Sequence, residues 1–343
     1  MNRKNFLGTT AALAAGMAFT PRQGMAGTVT DETLIYKVPP YLKPGDTIGI
    51  TSPAGFITHE DIQPALAVLR GWGLNVRIGT TIGKRDFTLG GTDTERREDL
   101  QKMLDDPTVK AVMCARGGYG SLRIIDAIDW TKFKAQPKWI IGFSDITVLH
   151  NHVHTNCAVA TIHSKMTNSF PDDWNKAEAV QIETILSIQD ALVGKRMKYT
   201  AAPNAQNRLG IAEGILIGGN LKTIESLSGT ASDIRTDGKI LFVEDTGEYL
   251  YSIDRMFWNL KRTGKLKGLK ALIVGGFKIK PDEPGDEFGK TLQEIVLEKL
   301  KDASYPVCFD FPVGHQRANF ALKCGVRHRL DVSATEVSLT ESR

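Results

Sequence analysis

Cysteine is scarce in this chain: Cys114, Cys157, Cys308 and Cys324 are the only four in 343 residues. No two of them stand in a Cys-x-x-Cys pair, which removes the usual thiolate zinc sites and the thioredoxin-like redox motif. His-Glu-x-x-His is also missing, and with it the helix-borne zinc site of many metallopeptidases. No Ser-x-x-Lys occurs, which argues against a penicillin-binding or β-lactamase mechanism. Excess charge is lacking too. The formal net charge is +4, and a nucleic-acid binder would be expected to carry a concentrated basic face. There is no internal repeat and no low-complexity tract.

What is present is ordinary globular material, 41% apolar and 24% charged, at a length that gives two domains a core each. The N-terminus has a different character. Arg3 and Lys4 precede an apolar stretch over residues 6–19, and Gly24-Met25-Ala26 offers a small-x-small cleavage site. The stretch is shorter than the about 20 residues that a membrane span needs. Residues 1–26 therefore read as a signal peptide, and the mature protein as exported, periplasmic, and membrane-attached only if the signal stays uncleaved. Arg3-Lys4-Asn5-Phe6-Leu7 also looks like a degenerate twin-arginine signal, so the export route stays open. Loss of Arg3, Lys4 and Arg22 takes the net charge from +4 to about +1, and no nucleic-acid partner is expected. A Cys308–Cys324 bridge would be compatible with an oxidising compartment, but pairing is not legible in spacing alone.

From Asp46 onward, strand-like runs alternate with helical patterns. Strands are expected at 47–52, 74–78, 109–114, 139–143 and 158–162, with helices at 59–72, 92–104, from 121 to 128, and from 145 onward. This is the βα repetition of an α/β protein with a parallel sheet covered by helices. Ligands collect at the carboxyl ends of such strands, where Ser52, the run 116–120 and Ser144 all fall. After a helix near 175–189, the polar stretch 200–209 reads as a linker between an N-terminal domain, 40–199, and a C-terminal domain, 210–338. The second domain mixes strands at 211–217, 240–243 and 269–277 with helices near 253–260 and 290–300, and ends in short strand-like runs.

Three distant segments each offer one member of a Ser-His-Glu triad: Ser144 in Gly142-Phe143-Ser144-Asp145-Ile146, Glu244 ending an apolar run, and His315 in Pro312-Val313-Gly314-His315. The order serine, acid, histidine is that of α/β-hydrolases. However, Ile146 stands where the second glycine of their Gly-x-Ser-x-Gly elbow would be, so a different scaffold is implied. A serine at a strand-to-helix turn is placed for nucleophilic attack beside a free backbone N–H. It would equally serve as a helix cap, and both readings stand at this point. Arg116-Gly117-Gly118-Tyr119-Gly120 follows the third strand, where glycines admit a ligand to the backbone and an arginine can grip a carboxylate bidentately. The run lacks the full Gly-x-Gly-x-x-Gly spacing of a nucleotide site. His150 and His154 share a helix face, but a zinc ion would need a third ligand. Gly285 to Thr291 falls short of a P-loop by one residue and carries two acids, so it reads as a loop and helix start.

Taken together these motifs resemble the LD-carboxypeptidase family of serine peptidases, which includes murein tetrapeptide carboxypeptidases and microcin-C immunity peptidases. The matching residues are Ser52-Pro53-Ala54, Arg116-Gly117-Gly118-Tyr119-Gly120, Gly142-Phe143-Ser144-Asp145, Gly218-Gly219-Asn220-Leu221, Glu244-Asp245 with Ile253-Asp254-Arg255, and Gly314-His315 with Asn319. The resemblance implies a flavodoxin-like N-terminal domain and a smaller β-rich C-terminal domain. It also implies Ser144 as nucleophile, His315 as base and Glu244 as its orienting acid. The expected reaction releases D-alanine from a murein tetrapeptide with no metal and no cofactor. The amides of Asp145 and Gly118 are expected to hold the oxyanion, and Arg116, Gly117 and Tyr119 to contact substrate. Two departures stand out. His163-Ser164-Lys165 replaces a frequent His-Gly-Pro, and export is unusual for murein-recycling enzymes of this kind. Hydrolysis of microcin-like aminoacyl nucleotides is the alternative enzymatic reading, and an exported solute-binding protein the non-enzymatic one. A monomer and a homodimer are both compatible with the sequence.

Overall fold

The computed structural model describes residues 36–342, and the expected signal peptide lies outside them. Two sheets organise the chain. The first is built from β1 (Thr47–Thr51), β2 (Asn75–Ile78), β3 (Val109–Cys114), β4 (Trp139–Gly142) and β5 (Thr161–His163), all parallel, in the order β2-β1-β3-β4-β5. That order is the flavodoxin-like doubly wound one, whose ligand crevice opens where the winding reverses between β1 and β3. The second sheet draws on β6 (Lys198–Ala201), β7 (Gly210–Asn220), β8 (Ile240–Glu248), β9 (Ala271–Ile279) and β10 (Val307–Cys308), then on β12 (Arg327–Val332) and β13 (Val337–Glu341). Its order is β10-β9-β8-β7-β12-β13-β6, with β7 to β10 parallel and the rest antiparallel.

Burial on both faces explains the strand sequences. Ala111 and Met113 point into one apolar layer of the first sheet, and Val112 and Cys114 into the other. The same alternation divides Leu241 and Val243 from Ile240 and Phe242 in β8. Helices α1 (Gln63–Gly71), α2 (Asp93–Asp105), α3 (Thr131–Ala135), α4 (Thr147–Cys157) and α5 (Ala179–Leu192) fall in the first half, and α6 (Leu221–Ser226), α7 (Leu250–Arg262) and α8 (Leu292–Lys299) in the second. Among the described residues no helix is long and apolar enough to cross a membrane.

Several elements depart from the pattern read in the sequence. The first helix begins at Gln63 rather than 59, because Thr58 and Asp61 close a turn on each other's backbone N–H groups and Pro64 suits a helix's first turn. Residues 121–128 form two 3₁₀ turns, Ser121–Arg123 and Ile125–Ala127, instead of a helix. Two strands cross the expected domain boundaries. β6 spans the end of the expected first domain and the start of the linker, yet pairs with β13 in the second sheet. β11 (Leu322–Cys324) lies late in the chain and closes the first sheet antiparallel to β5. The four cysteines are free, with Cys308 and Cys324 buried in one apolar layer.

Candidate active site

The carboxyl ends of the parallel strands of both sheets meet at one cleft. Asn220, the last residue of β7, donates its backbone N–H to Thr147 Oγ1 at 3.0 Å, at the start of α4. A Cβ on Gly219 would sit 2.5 Å from that same oxygen, so the two halves touch through backbone just behind Ser144.

Ser144 follows β4 with φ of +64°, a left-handed conformation costing roughly 1–2 kcal/mol for a residue with a Cβ. The sharp bend lifts its side chain off the sheet edge. Gly142 makes the bend possible, since a Cβ there would meet the Ile146 side chain at 2.9 Å. Ile146 thus fills the space that the first glycine of the motif leaves, which is why a second glycine is not needed. The Ser144 hydroxyl does not cap the helix: the turn Ser144–Ile146 has no side-chain cap, and Oγ lies 3.1 Å from His315 Nε2.

Glu244 is fully buried in β8, at a register irregularity between Val243 and Asp245. His315 reaches it across a turn in which Gly314 has φ of +103°, and a Cβ on Gly314 would lie 2.4 Å from Glu244 Cβ. Asn319 Oδ1 accepts the Gly314 N–H at 2.9 Å and fixes the turn. Glu244 Oε2 accepts the His315 Nδ1–H at 2.5 Å and its backbone N–H at 3.2 Å. Burial alone would push the Glu244 carboxyl up, but the nearby His163 ring and the hydrogen bond and charge of His315 hold it down at about 2. His163 Nε2 stands 4.0 Å from Glu244 Oε1, beyond hydrogen-bond range, so the 2.5 Å contact from His315 carries more of that effect. An ionised Glu244 keeps the proton on Nδ1 and leaves the Nε2 lone pair facing Ser144. Serine, imidazole and carboxylate form one continuous hydrogen-bonded line, an arrangement able to take a proton from a hydroxyl and hold the resulting imidazolium.

The glycine turn lies alongside. A Cβ on Gly117 would come within 3.0 Å of Ser144 Cβ, and Gly118 and Gly120 have φ of +101° and +139°. Gly117 O accepts the Gly55 N–H at 3.0 Å, which joins the loops after β1 and β3 at the reversal point. The Asp145 carboxyl is buried and accepts the Ser121 N–H at 2.8 Å, and burial pushes its pKa up. Arg116 is exposed and donates to Phe56 O at 3.0 Å. Tyr119 is 54% exposed, leaving its ring free to meet a ligand at the mouth.

Three further residues stand at the site; the sequence marked two of them, His163 and Lys165, only as a replacement of the frequent His-Gly-Pro. Arg96, on α2 and fully buried, donates to Gly120 O at 2.8 Å, Pro53 O at 2.5 Å and Gly91 O at 3.1 Å, stapling the loops after β1 and β3. His163 stands beside Glu244 with both ring nitrogens unpartnered. Lys165 reaches over to Gln316, next to His315. A period of four residues on an exposed-looking helix hides Arg96, and only tertiary pairing reveals what the other two meet. His150, His152 and His154 are core residues, each hydrogen-bonded: to Gly142 O at 2.9 Å, Ser232 Oγ at 2.9 Å and Thr161 Oγ1 at 3.0 Å. Thr291 caps α8 through a capping box with Glu294, so the segment at 285–291 is a loop and a helix start.

Comparison with known proteins gives the same outline. Residues 48–164 match the LD-carboxypeptidase N-terminal domain and residues 213–330 its C-terminal domain. A probable murein peptide carboxypeptidase of Bacillus subtilis is 34% identical over 88% of this chain and 93% of its own length. The microcin C7 self-immunity protein MccF of Escherichia coli is 25% identical over 87% of this chain and 94% of its own. The crystal structure of a muramoyltetrapeptide carboxypeptidase from Oxalobacter formigenes superimposes with a TM-score of 0.76 at 28% identity, covering 87% of this chain and 99% of that one. With both domains matched in order around the cleft that holds Ser144, Glu244 and His315, the chain belongs to the LD-carboxypeptidase family.

Proposed function

We propose that the protein is a serine carboxypeptidase that hydrolyses the bond between an L-centre and a terminal D-alanine in a murein tetrapeptide. The observation carrying this reading is the line from Ser144 Oγ through His315 to Glu244, at 3.1 and 2.5 Å, in a chain of this family. His315 Nε2 takes the hydroxyl proton as Ser144 Oγ attacks the scissile carbonyl. The amides of Asp145 and Gly118 stabilise the oxyanion. His315 then gives its proton to the leaving amine, D-alanine departs, and water, activated by the same imidazole, releases the acyl group from Ser144. Glu244 orients the imidazole and balances its charge. Arg116, Gly117 and Tyr119 bind the peptide from the β3 side. The N-terminal pattern of residues 1–26 supports action on stem peptides outside the cytoplasm, whereas microcin-like toxins act inside it.

The test is incubation of purified protein with defined muropeptides and with an aminoacyl sulfamoyl adenosine, products being read by mass. Loss of one alanine from the tetrapeptide, with labelling of Ser144 by a fluorophosphonate, is the expected result. Turnover of the nucleotide alone would move the assignment to the immunity-type activity. Tight binding of a peptide with no turnover would favour a solute-binding role.

A further inference from the structure

Lys165 is an ammonium placed at the cleft without a counter-ion. Its Nζ donates one hydrogen bond, to Gln316 O at 2.8 Å, and lies 5.7 Å from the centre of the Phe143 ring. That ring packs 4.9 Å from the His315 ring, so Lys165 belongs to the imidazole side of the site. Among the described residues no carboxylate lies within ion-pair distance of it. The acid whose charge it feels, Glu244, is engaged by His315, and Lys278 adds like charge. The backbone around it is held in place. Ser164 N–H donates to Gly142 O at 3.1 Å, and Met166 Cε would lie 3.3 Å from a Cβ on Gly117, so residues 164–166 wrap the turn that carries Ser144. A half-buried ammonium with two unused donors and no anionic partner is unfavourable in the empty protein, and it calls for an anion supplied by a ligand.

The direction of the reaction says which anion. His315 must protonate the leaving amine, so the departing residue lies on the imidazole side, and its carboxylate stands two bonds from that amine. Arg116 is exposed, and its guanidinium is turned to Phe56 O at 3.0 Å on the loop after β1. We infer that Lys165, rather than Arg116, binds the C-terminal carboxylate of the departing D-amino acid in this chain. This inference rests on the peptidase reading above.

The experiment compares a murein tetrapeptide with its C-terminal amide. The wild type is expected to favour the free acid in kcat/KM by about tenfold or more. Lys165→Met and Lys165→Gln should bring the acid-to-amide ratio close to one, while Lys165→Arg and Arg116→Gln keep the preference. Persistence of the preference in both neutral variants, its collapse in Arg116→Gln instead, or its absence from the wild type would overturn the inference. If the wild type cleaves neither peptide, the peptidase reading fails, and calorimetry on Ser144→Ala decides the subsite separately. Tighter binding of acid than amide that disappears with Lys165→Gln supports it, and equal binding refutes it.

Discussion

In the proposed mechanism Ser144, His315 and Glu244 act on one proton, and their replacement should produce unequal losses. Ser144→Ala and His315→Ala each disable the whole relay, so each should lower kcat on the order of 10⁶-fold, with the double variant no worse than either alone. Glu244→Gln keeps the shape but loses the charge behind the imidazole, and a smaller loss, about 10⁴-fold, is expected in single-turnover kinetics. Glu244 also ties stability to pH. Its ordinary value near 4.5 falls to about 2 on folding, so the folded state binds fewer protons between those limits. The stabilisation is therefore complete above pH 4.5 and is lost as pH falls toward 2. It amounts to roughly 3 kcal/mol. Urea unfolding across this window should show the decline in the wild type and a shallower one in Glu244→Gln.

At the level of elements, the turns matter more than the strands they join. Gly314→Ala would place a methyl 2.4 Å from Glu244 Cβ at a φ of +103°, combining a clash with backbone strain. A stability loss of about 2 kcal/mol or more is expected, with kcat falling more than KM rises because His315 is pushed off its acid. Thermal melts and steady-state kinetics on the same preparation check both. The parallel strands and their helices were legible in the sequence because each is a local run with its own period and its own turn residues. Ser144 and His315 stood out beside turns, whereas Glu244 was read as a strand end and instead lies inside β8, at its register irregularity. β6 and β11 were not legible, since their 4 and 3 residues are too short to carry a pattern and are defined by partners more than a hundred residues away. Arg96 stayed hidden, and Lys165 was marked only as a departure from His-Gly-Pro, for a related reason: a cation's role is set by what it meets across the fold.

For the whole molecule, the exchange of strands between lobes makes folding a joint event. A fragment ending at residue 197 keeps β1 to β5 but lacks the pairing of Leu322, Lys323 and Cys324 with β5, and it uncovers the backbone that abuts β7. It should remain unfolded or aggregate, as read by circular dichroism and gel filtration, whereas full-length protein unfolds in a single transition. The same exchange sets an order in time. A chain emerging from a ribosome presents Ser144 long before His315, and the strand that seals the sheet of Ser144 comes seven residues after that histidine. A half-made chain therefore holds a serine with no base and a sheet with an open edge. Cutting power arrives only when synthesis is nearly complete, so the unfinished protein is harmless to any peptide it meets on the way.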